Sequence, residues 1–213
     1  MRLARIAIPI LSSLMIVGCG CPTRGSGVRT EVTREIQAFT TLDVPDAIDV
    51  VVRVGEAPGA KVVGDDNLVE SVETELVGDT LHVRTKGSYI TGSGLEVYLT
   101  TPSLDRIEVS GSGDVSVDGI EGDAIVIESS GSGDVQASGA AKTLTIAASG
   151  SGDVDASRLT ADDVKVNTSG SGDARVHANE TLDATLSGSG EVRYHGDPEV
   201  TQAVSGSGDV RRF

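Results

Sequence analysis

The hexapeptide Ser110-Gly-Ser-Gly-Asp-Val115 (SGSGDV) returns at Ser130–Val135, Ser149–Val154, Ser169–Ala174, Ser187–Val192 and Ser205–Val210. The fourth copy ends in Ala and the fifth carries Glu in place of Asp. The acidic residue therefore falls at Asp114, Asp134, Asp153, Asp173, Glu191 and Asp209, in steps of 18 to 20 residues. A weaker version, Thr91-Gly92-Ser93-Gly94, reads as a degenerate first repeat. A period of this size marks a solenoid, in which one repeat alone cannot bury its apolar face.

The residues between the hexapeptides decide which solenoid. Three places before each first serine stand Ile107, Ile127, Ile146, Val166, Ala184 and Gln202, and five places before stand Asp105, Ile125, Leu144, Val164, Leu182 and Val200. After each acid come Val115, Val135, Val154, Ala174, Val192 and Val210, and two places further Val117, Ala137, Ala156, Val176, Tyr194 and Arg212. Alternation with period two on both sides of a glycine corner means strand, corner, strand. A helical repeat would need 3.6-residue spacing and would not accept two glycines at one place in every unit. The pattern predicts an all-β chain, a single-stranded parallel β-helix of 18- to 20-residue rungs. At about 3.3 Å per residue such a rung measures roughly 60 Å around, and rungs stack about 4.8 Å apart. Asp118–Asp123, Ser138–Thr143, Ser157–Asp163, His177–Thr181 and His195–Glu199 vary in length and type and are expected at the other corner.

Within the hexapeptide, Gly111, Gly113, Gly131, Gly133, Gly150, Gly152, Gly170, Gly172, Gly188, Gly190, Gly206 and Gly208 are expected to permit φ > 0 and close approach between rungs. The serines can bond neighbouring backbone, and each acid can accept the N–H groups of its own turn. A column of carboxylates about 4.8 Å apart repels by roughly 0.9 kcal/mol per pair even in water, so it must be solvated, hydrogen-bonded or bridged by cations. A Ca²⁺ ladder through the six acids is the sharper alternative. The nonapeptide coils that bind Ca²⁺ have a different spacing, and each corner offers one carboxylate where Ca²⁺ takes six to eight oxygens. A phosphate cradle has neither a lysine nor a following helix to support it.

The N-terminal part is β-rich, with Phe39, Leu42, Val44, Ile48, Val50 and Val52 in strands divided by a turn at Pro45-Asp46. Lys61-Val62-Val63 is a further strand. Asp65-Asp66-Asn67 before Leu68, Val69 and Val72 predicts one short helix with an Asp or Asn cap. Gly78-Asp79 joins Thr74–Val77 and Thr80–Thr85 as a hairpin.

Residues 1–18 carry Arg2 and Arg5 followed by an apolar run from Ile6 to Val17, too short to span a bilayer. Ending in Ile16-Val17-Gly18-Cys19, this is a secretory leader resembling a bacterial lipobox, with Cys19 as the lipidated first residue. Residues 19–30 (CGCPTRGSGVRT) read as a flexible tether, and 31–213 as the folded domain. With Cys19 lipidated, Cys21 has no partner for a disulfide. Without the two leader arginines, 15 basic residues face 32 acidic ones, a charge near −17. That acidity argues against nucleic-acid and anionic-lipid partners, and an aromatic content of 2% with no Trp leaves few stacking platforms.

The SGSGD series resembles the bacterial family called the putative autotransporter adhesin head GIN domain. Phe39-Thr-Thr-Leu-Asp-Val44, Ala47-Ile-Asp-Val-Val-Val52, Asp65-Asp-Asn-Leu-Val69 and Gly78-Asp-Thr-Leu-His-Val83 are similar to that family's N-terminal half. The resemblance covers most of 35–210. It implies a pectin-lyase-like β-helix with GSG corners and a role in adhesion, although no Gly-Ile-Asn tripeptide stands here. Three functions follow: an outer-membrane lipoprotein that binds a surface glycan or protein, a spacer without a ligand, or a polysaccharide-active enzyme. The enzyme reading lacks a constellation, since His82, His177 and His195 share no motif, and His177 and His195 fall near the variable corner on repeats that are not adjacent. Arg158, Arg175 and Arg193 are scattered, the last two expected to pair with exposed acids. No catalytic residue, metal site or cofactor is expected.

Overall fold

A computed structural model describes residues 22–213, so the leader and Cys19 lie outside the described residues. The strands are β1 (Thr23–Arg24), β2 (Arg29–Arg34), β3 (Thr41–Val44), β4 (Asp49–Val54), β5 (Gly59–Asp65), β6 (Val72–Val77), β7 (Thr80–Thr85), β8 (Tyr89–Ile90), β9 (Glu96–Thr101) and β10 (Arg106–Val109). Four long strands follow, β11 (Val115–Ser129), β12 (Val135–Ala148), β13 (Val154–Thr168) and β14 (Ala174–Leu186), and then β15 (Val192–His195), β16 (Glu199–Val204) and β17 (Val210–Arg212). The repeat region is a parallel β-solenoid, and the whole coils through about five turns.

Each long strand is one rung, closed on the next by a hexapeptide corner. The predicted columns stack in register: Ile107 pairs with Ile127, Ile127 with Ile146, Ile146 with Val166 and Val166 with Ala184. All five are fully buried. Their outward neighbours are not, which is the alternation a coil with one dry side requires. The first four variable segments form the second bend as bulges inside the continuous strands β11–β14, with register shifts between Val117 and Ile120, Gln136 and Ser138, and Ala156 and Thr160, whereas His195–Glu199 is a loop between β15 and β16. Gly119 (φ 87°) and Gly139 (φ 137°) sit at the first two bends, where the left-handed backbone requires glycine.

The N-terminal rungs are not stacked in chain order. Strand β3 lies under β10 and β4 under β11, while β7 lies under β3 and β9 under β4. The rung built from residues 41–54 is therefore sandwiched between a later rung, 80–101, and the first repeat. The place directly beneath Ser110–Val115 belongs to Val44–Val50. Thr91–Gly94 does precede a rung strand, as a degenerate repeat should, but Glu96 pairs with Asp49 and so lies one rung further down. Antiparallel partners finish this end: β6 on β7, β5 on β9 and β2 on β5.

Two N-terminal expectations are corrected. The helix is a single 3₁₀ turn, Val69–Ser71, with no side-chain cap; the Asp65 carbonyl accepts from Leu68 N–H at 2.8 Å instead. The expected flexible tether does not persist to residue 30. From Thr23 the chain is in strand β1, which runs parallel to β8, and β2 begins at Arg29.

Candidate functional site

The repeated corner is a backbone-packing device. A Cβ on Gly131, Gly150, Gly170, Gly188 or Gly206 would lie 1.8–2.1 Å from the carbonyl oxygen of the glycine one rung below. At Gly133, Gly152, Gly172, Gly190 and Gly208 the same gap is 2.0–2.2 Å. At Gly111 and Gly113 the carbonyls met are those of Asp46 and Ile48, at 1.9 and 2.0 Å. None of these twelve glycines has positive φ, so the expectation of left-handed corners is wrong. Close approach alone demands glycine. Ser N–H groups complete the ladder: Ser132 donates to the Gly111 carbonyl at 3.1 Å and Ser151 to that of Gly131 at 3.0 Å.

Asp114, Asp134, Asp153 and Asp173 do not cap their own turns. Asp114 Oδ1 accepts from Asp134 N–H at 2.9 Å, Asp134 Oδ1 from Asp153 N–H at 2.8 Å, Asp153 Oδ1 from Asp173 N–H at 2.8 Å, and Asp173 Oδ1 from Glu191 N–H at 2.8 Å. The series begins below the repeats, with Asp49 Oδ1 accepting from Asp114 N–H at 3.0 Å. Glu191, one methylene longer, turns to Arg193 (2.6 and 2.8 Å) and Arg211, and Asp209 caps Val210. Among the described residues no group of three or more His, Cys, Asp or Glu converges on a point.

The histidines do not form one site. His82 Nδ1 lies 2.7 Å from Asp43 Oδ2 on neighbouring rungs. His177 and His195 stand on adjacent rungs, contrary to expectation, because strands β14 and β15 pair directly; their ring centroids are 5.9 Å apart and Phe213 stacks on His195 at 4.2 Å. Arg175 pairs with Asp153 at 3.6 Å and Arg193 with Glu191, whose side chain is mostly buried rather than exposed. Among the described residues Arg158 makes no ion pair.

A surface with room for a ligand is one that sequence reasoning missed. Across the outer face runs a cross-strand row: Thr33, Lys61, Tyr98, Val51, Ser116, Gln136, Asp155, Arg175, Arg193, Arg211. Tyr98 stands as a wall between two grooves in it. On one side is a cavity of about 440 Å³ with Arg53, Lys61, Thr100 and the bare backbone of Gly59. On the other is one of about 310 Å³ with Asp49, Glu96, Asp114 and Asp134. The Tyr98 hydroxyl donates to Glu96 Oε2 at 2.7 Å, which fixes the ring, pushes the phenol's pKa up and holds the Glu96 carboxyl below its ordinary value. Lys61 Nζ lies 5.1 Å from the ring centroid, and Arg53 has no carboxylate partner among the described residues. The one signal in the sequence was a tyrosine at the outward position of the alternating run Glu96-Val-Tyr-Leu-Thr100.

With corner and rungs in place, the family follows from the match of residues 38–198 to the model described as "Putative auto-transporter adhesin, head GIN domain". The chain belongs to this family. Among solved structures, a "putative adhesin" from Bacteroides fragilis is 22% identical, with a TM-score of 0.73 over 89% of this chain and 99% of that one. A "putative adhesin" from Parabacteroides merdae is 21% identical, with a TM-score of 0.58 over 90% and 98%. A "putative lipid binding protein" from Parabacteroides distasonis is 22% identical, with a TM-score of 0.53 over 91% and 100%. Likeness at this identity speaks to the shared fold alone. No curated protein matches the chain. Among the described residues no helix is long and apolar enough to cross a membrane.

Proposed function

We propose that this head GIN domain is a non-enzymatic envelope lipoprotein, tied to the outer membrane through Cys19, that contacts a surface glycan or protein through the flank of its solenoid. The observation that carries the binding reading is Tyr98, held upright between a basic and an acidic groove on a flat outer face. An aromatic ring gives apolar contact area at low entropic cost, and flanking charges of both signs orient a polar ligand. The apolar run ending in Ile-Val-Gly-Cys carries the anchor reading, and family membership supports adhesion over catalysis.

The binding test uses the full chain with Cys19→Ser, because residues 23–30 are part of the fold. Glycan-array and whole-cell binding should be measured with it and with Tyr98→Ala. Binding to a defined glycan or cell type, lost at least tenfold in Tyr98→Ala, is expected. Binding that is indifferent to Tyr98 removes this face as the site, and no binding to any glycan or cell favours the spacer.

A further inference from the structure

The segment that precedes the solenoid is bound to it by a site of its own. Thr23 N–H donates to the Ser88 carbonyl at 2.9 Å and Gly25 N–H to the Ile90 carbonyl at 2.8 Å, extending β1 along β8. The chain then wraps Asp65. Gly27 N–H donates to Asp65 Oδ1 at 3.0 Å, with Thr91 Oγ1 (2.6 Å) and Ser93 Oγ (3.0 Å) supplying the other donors. Asn67 clamps both sides of Gly25, accepting from Ser26 N–H at 2.9 Å and donating to the Arg24 carbonyl at 2.8 Å. Asp66 takes the Ser26 hydroxyl on its side chain and donates its N–H to the Val28 carbonyl at 2.9 Å.

The fit is tight: a Cβ on Gly25 would fall 1.9 Å from Asp65 Oδ2. Asp65 is only 1% exposed. A buried carboxylate is tolerated when hydrogen-bonded and costly when stripped of donors, so release of the strap would leave Asp65 short of a partner. All three residues of the Asp65-Asp66-Asn67 run that suggests a helix cap are thus committed to holding residues 24–28.

We propose that residues 22–28 are a docked strap and that it holds the N-terminal end of the solenoid, Ile90 foremost, against a lipid bilayer. The membrane half rests on the lipid-anchor reading above. Cys19 precedes Thr23 by four residues, a reach of at most about 14 Å. A lipid on Cys19 therefore leaves no slack for the head to stand away from the headgroups. Ile90, 56% exposed, is the strand partner of Arg24, and Val28, 59% exposed, ends the strap. Arg24 has no carboxylate partner among the described residues and so presents a free cation to anionic headgroups. The acidic row along the flank, from Glu96 and Asp49 to Asp153, is repelled by such a surface, so the solenoid stands end-on.

Two measurements test this. The first is trypsin cleavage at Arg24–Gly25 in the full chain with Cys19→Ser. The strap predicts cleavage at least tenfold slower than in the Ser26→Ala/Asn67→Ala variant, whose circular dichroism should match the parent. Equal rates overturn the strap. The second uses the lipidated protein in phosphatidylcholine/phosphatidylglycerol vesicles carrying nitroxide lipid, with a bimane probe at Ile90→Cys or Phe213→Cys in a Cys21→Ser background. At least threefold stronger quenching at position 90 supports the end-on contact; equal quenching at the two ends overturns it. If the Cys19→Ser chain stays on membranes, the anchor reading fails and takes the bilayer half with it, while the trypsin result still judges the strap.

Discussion

Asp134 Oδ1 accepts the backbone N–H of Asp153 at 2.8 Å, one full rung away along the solenoid. Asp114, Asp134, Asp153 and Asp173 are thus each an acceptor for the next acid in the series, and this column of like charge is held by the hydrogen bonds it makes. Asp134→Asn keeps an oxygen in the same place and removes one charge, so its stability should stay within about 0.5 kcal/mol of the parent. Asp134→Ala removes the acceptor and should cost about 1 kcal/mol in urea denaturation. Equal effects of the two substitutions would show that the hydrogen bond contributes nothing.

With one oxygen of Asp114, Asp134, Asp153 and Asp173 committed in this way, divalent ions are expected to act as general screening salt. Ca²⁺ and Mg²⁺ at matched ionic strength should shift the melting temperature by the same amount, no more than about 2–3 °C. A large shift specific to Ca²⁺, abolished by Asp134→Asn with Asp153→Asn, would establish the ion ladder.

Gly150→Ala should be among the most damaging single-methyl changes in the chain. Its Cβ would sit 1.8 Å from the Gly131 carbonyl oxygen, and backbone cannot yield as a flexible side chain can. A loss of about 3 kcal/mol or more is expected. Gly122→Ala, with nothing within 4 Å of its Cβ, should cost less than about 1 kcal/mol. Thermal unfolding of the two variants side by side makes the comparison.

Ile146 is fully buried between Ile127 and Val166, whereas Thr145 faces outward. Ile146→Ala should cost about 2–5 kcal/mol and Thr145→Ala less than about 1 kcal/mol. Similar losses at the two positions would reject the strand phase.

Hydrogen bonding, first from Thr91, holds the Asp65 carboxyl below its ordinary value of 3.8, with Ser93 and Gly27 N–H adding to it against the opposing effect of burial. The folded chain therefore binds the Asp65 proton less readily than the unfolded chain. Its contribution to holding the strap is complete above the ordinary aspartate value and is lost as pH falls through the lower, folded one. The Gly27 amide resonance, followed by NMR from pH 6 downward, should titrate with a midpoint below 3.8. A midpoint at or above that value would contradict the hydrogen-bonded cradle.

The sequence by itself determined the rung. Identical chemistry every 18–20 residues can pack only by stacking like on like, so the Ile127, Ile146, Val166 column and the glycine corners could be read from spacing alone. The corner's purpose was legible, but its mechanism was not. Spacing cannot tell a glycine needed for positive φ from one needed because a carbonyl lies 2 Å from its missing Cβ, since the second demand is made by another rung. Residues 41–54 repeat nothing that would announce their place between the rungs 80–101 and 106–129. That order depends on which strand edges are free when the chain returns, a long-range condition that local pattern does not encode. The same reason hides the docked strap and the Tyr98 wall. Asp65-Asp66-Asn67 has the composition of a helix cap, and only tertiary contact gives its carboxylates and amide residues 24–28 to hold; Tyr98 becomes a candidate site only when β5 and β4 bring Lys61 and Val51 to its two sides.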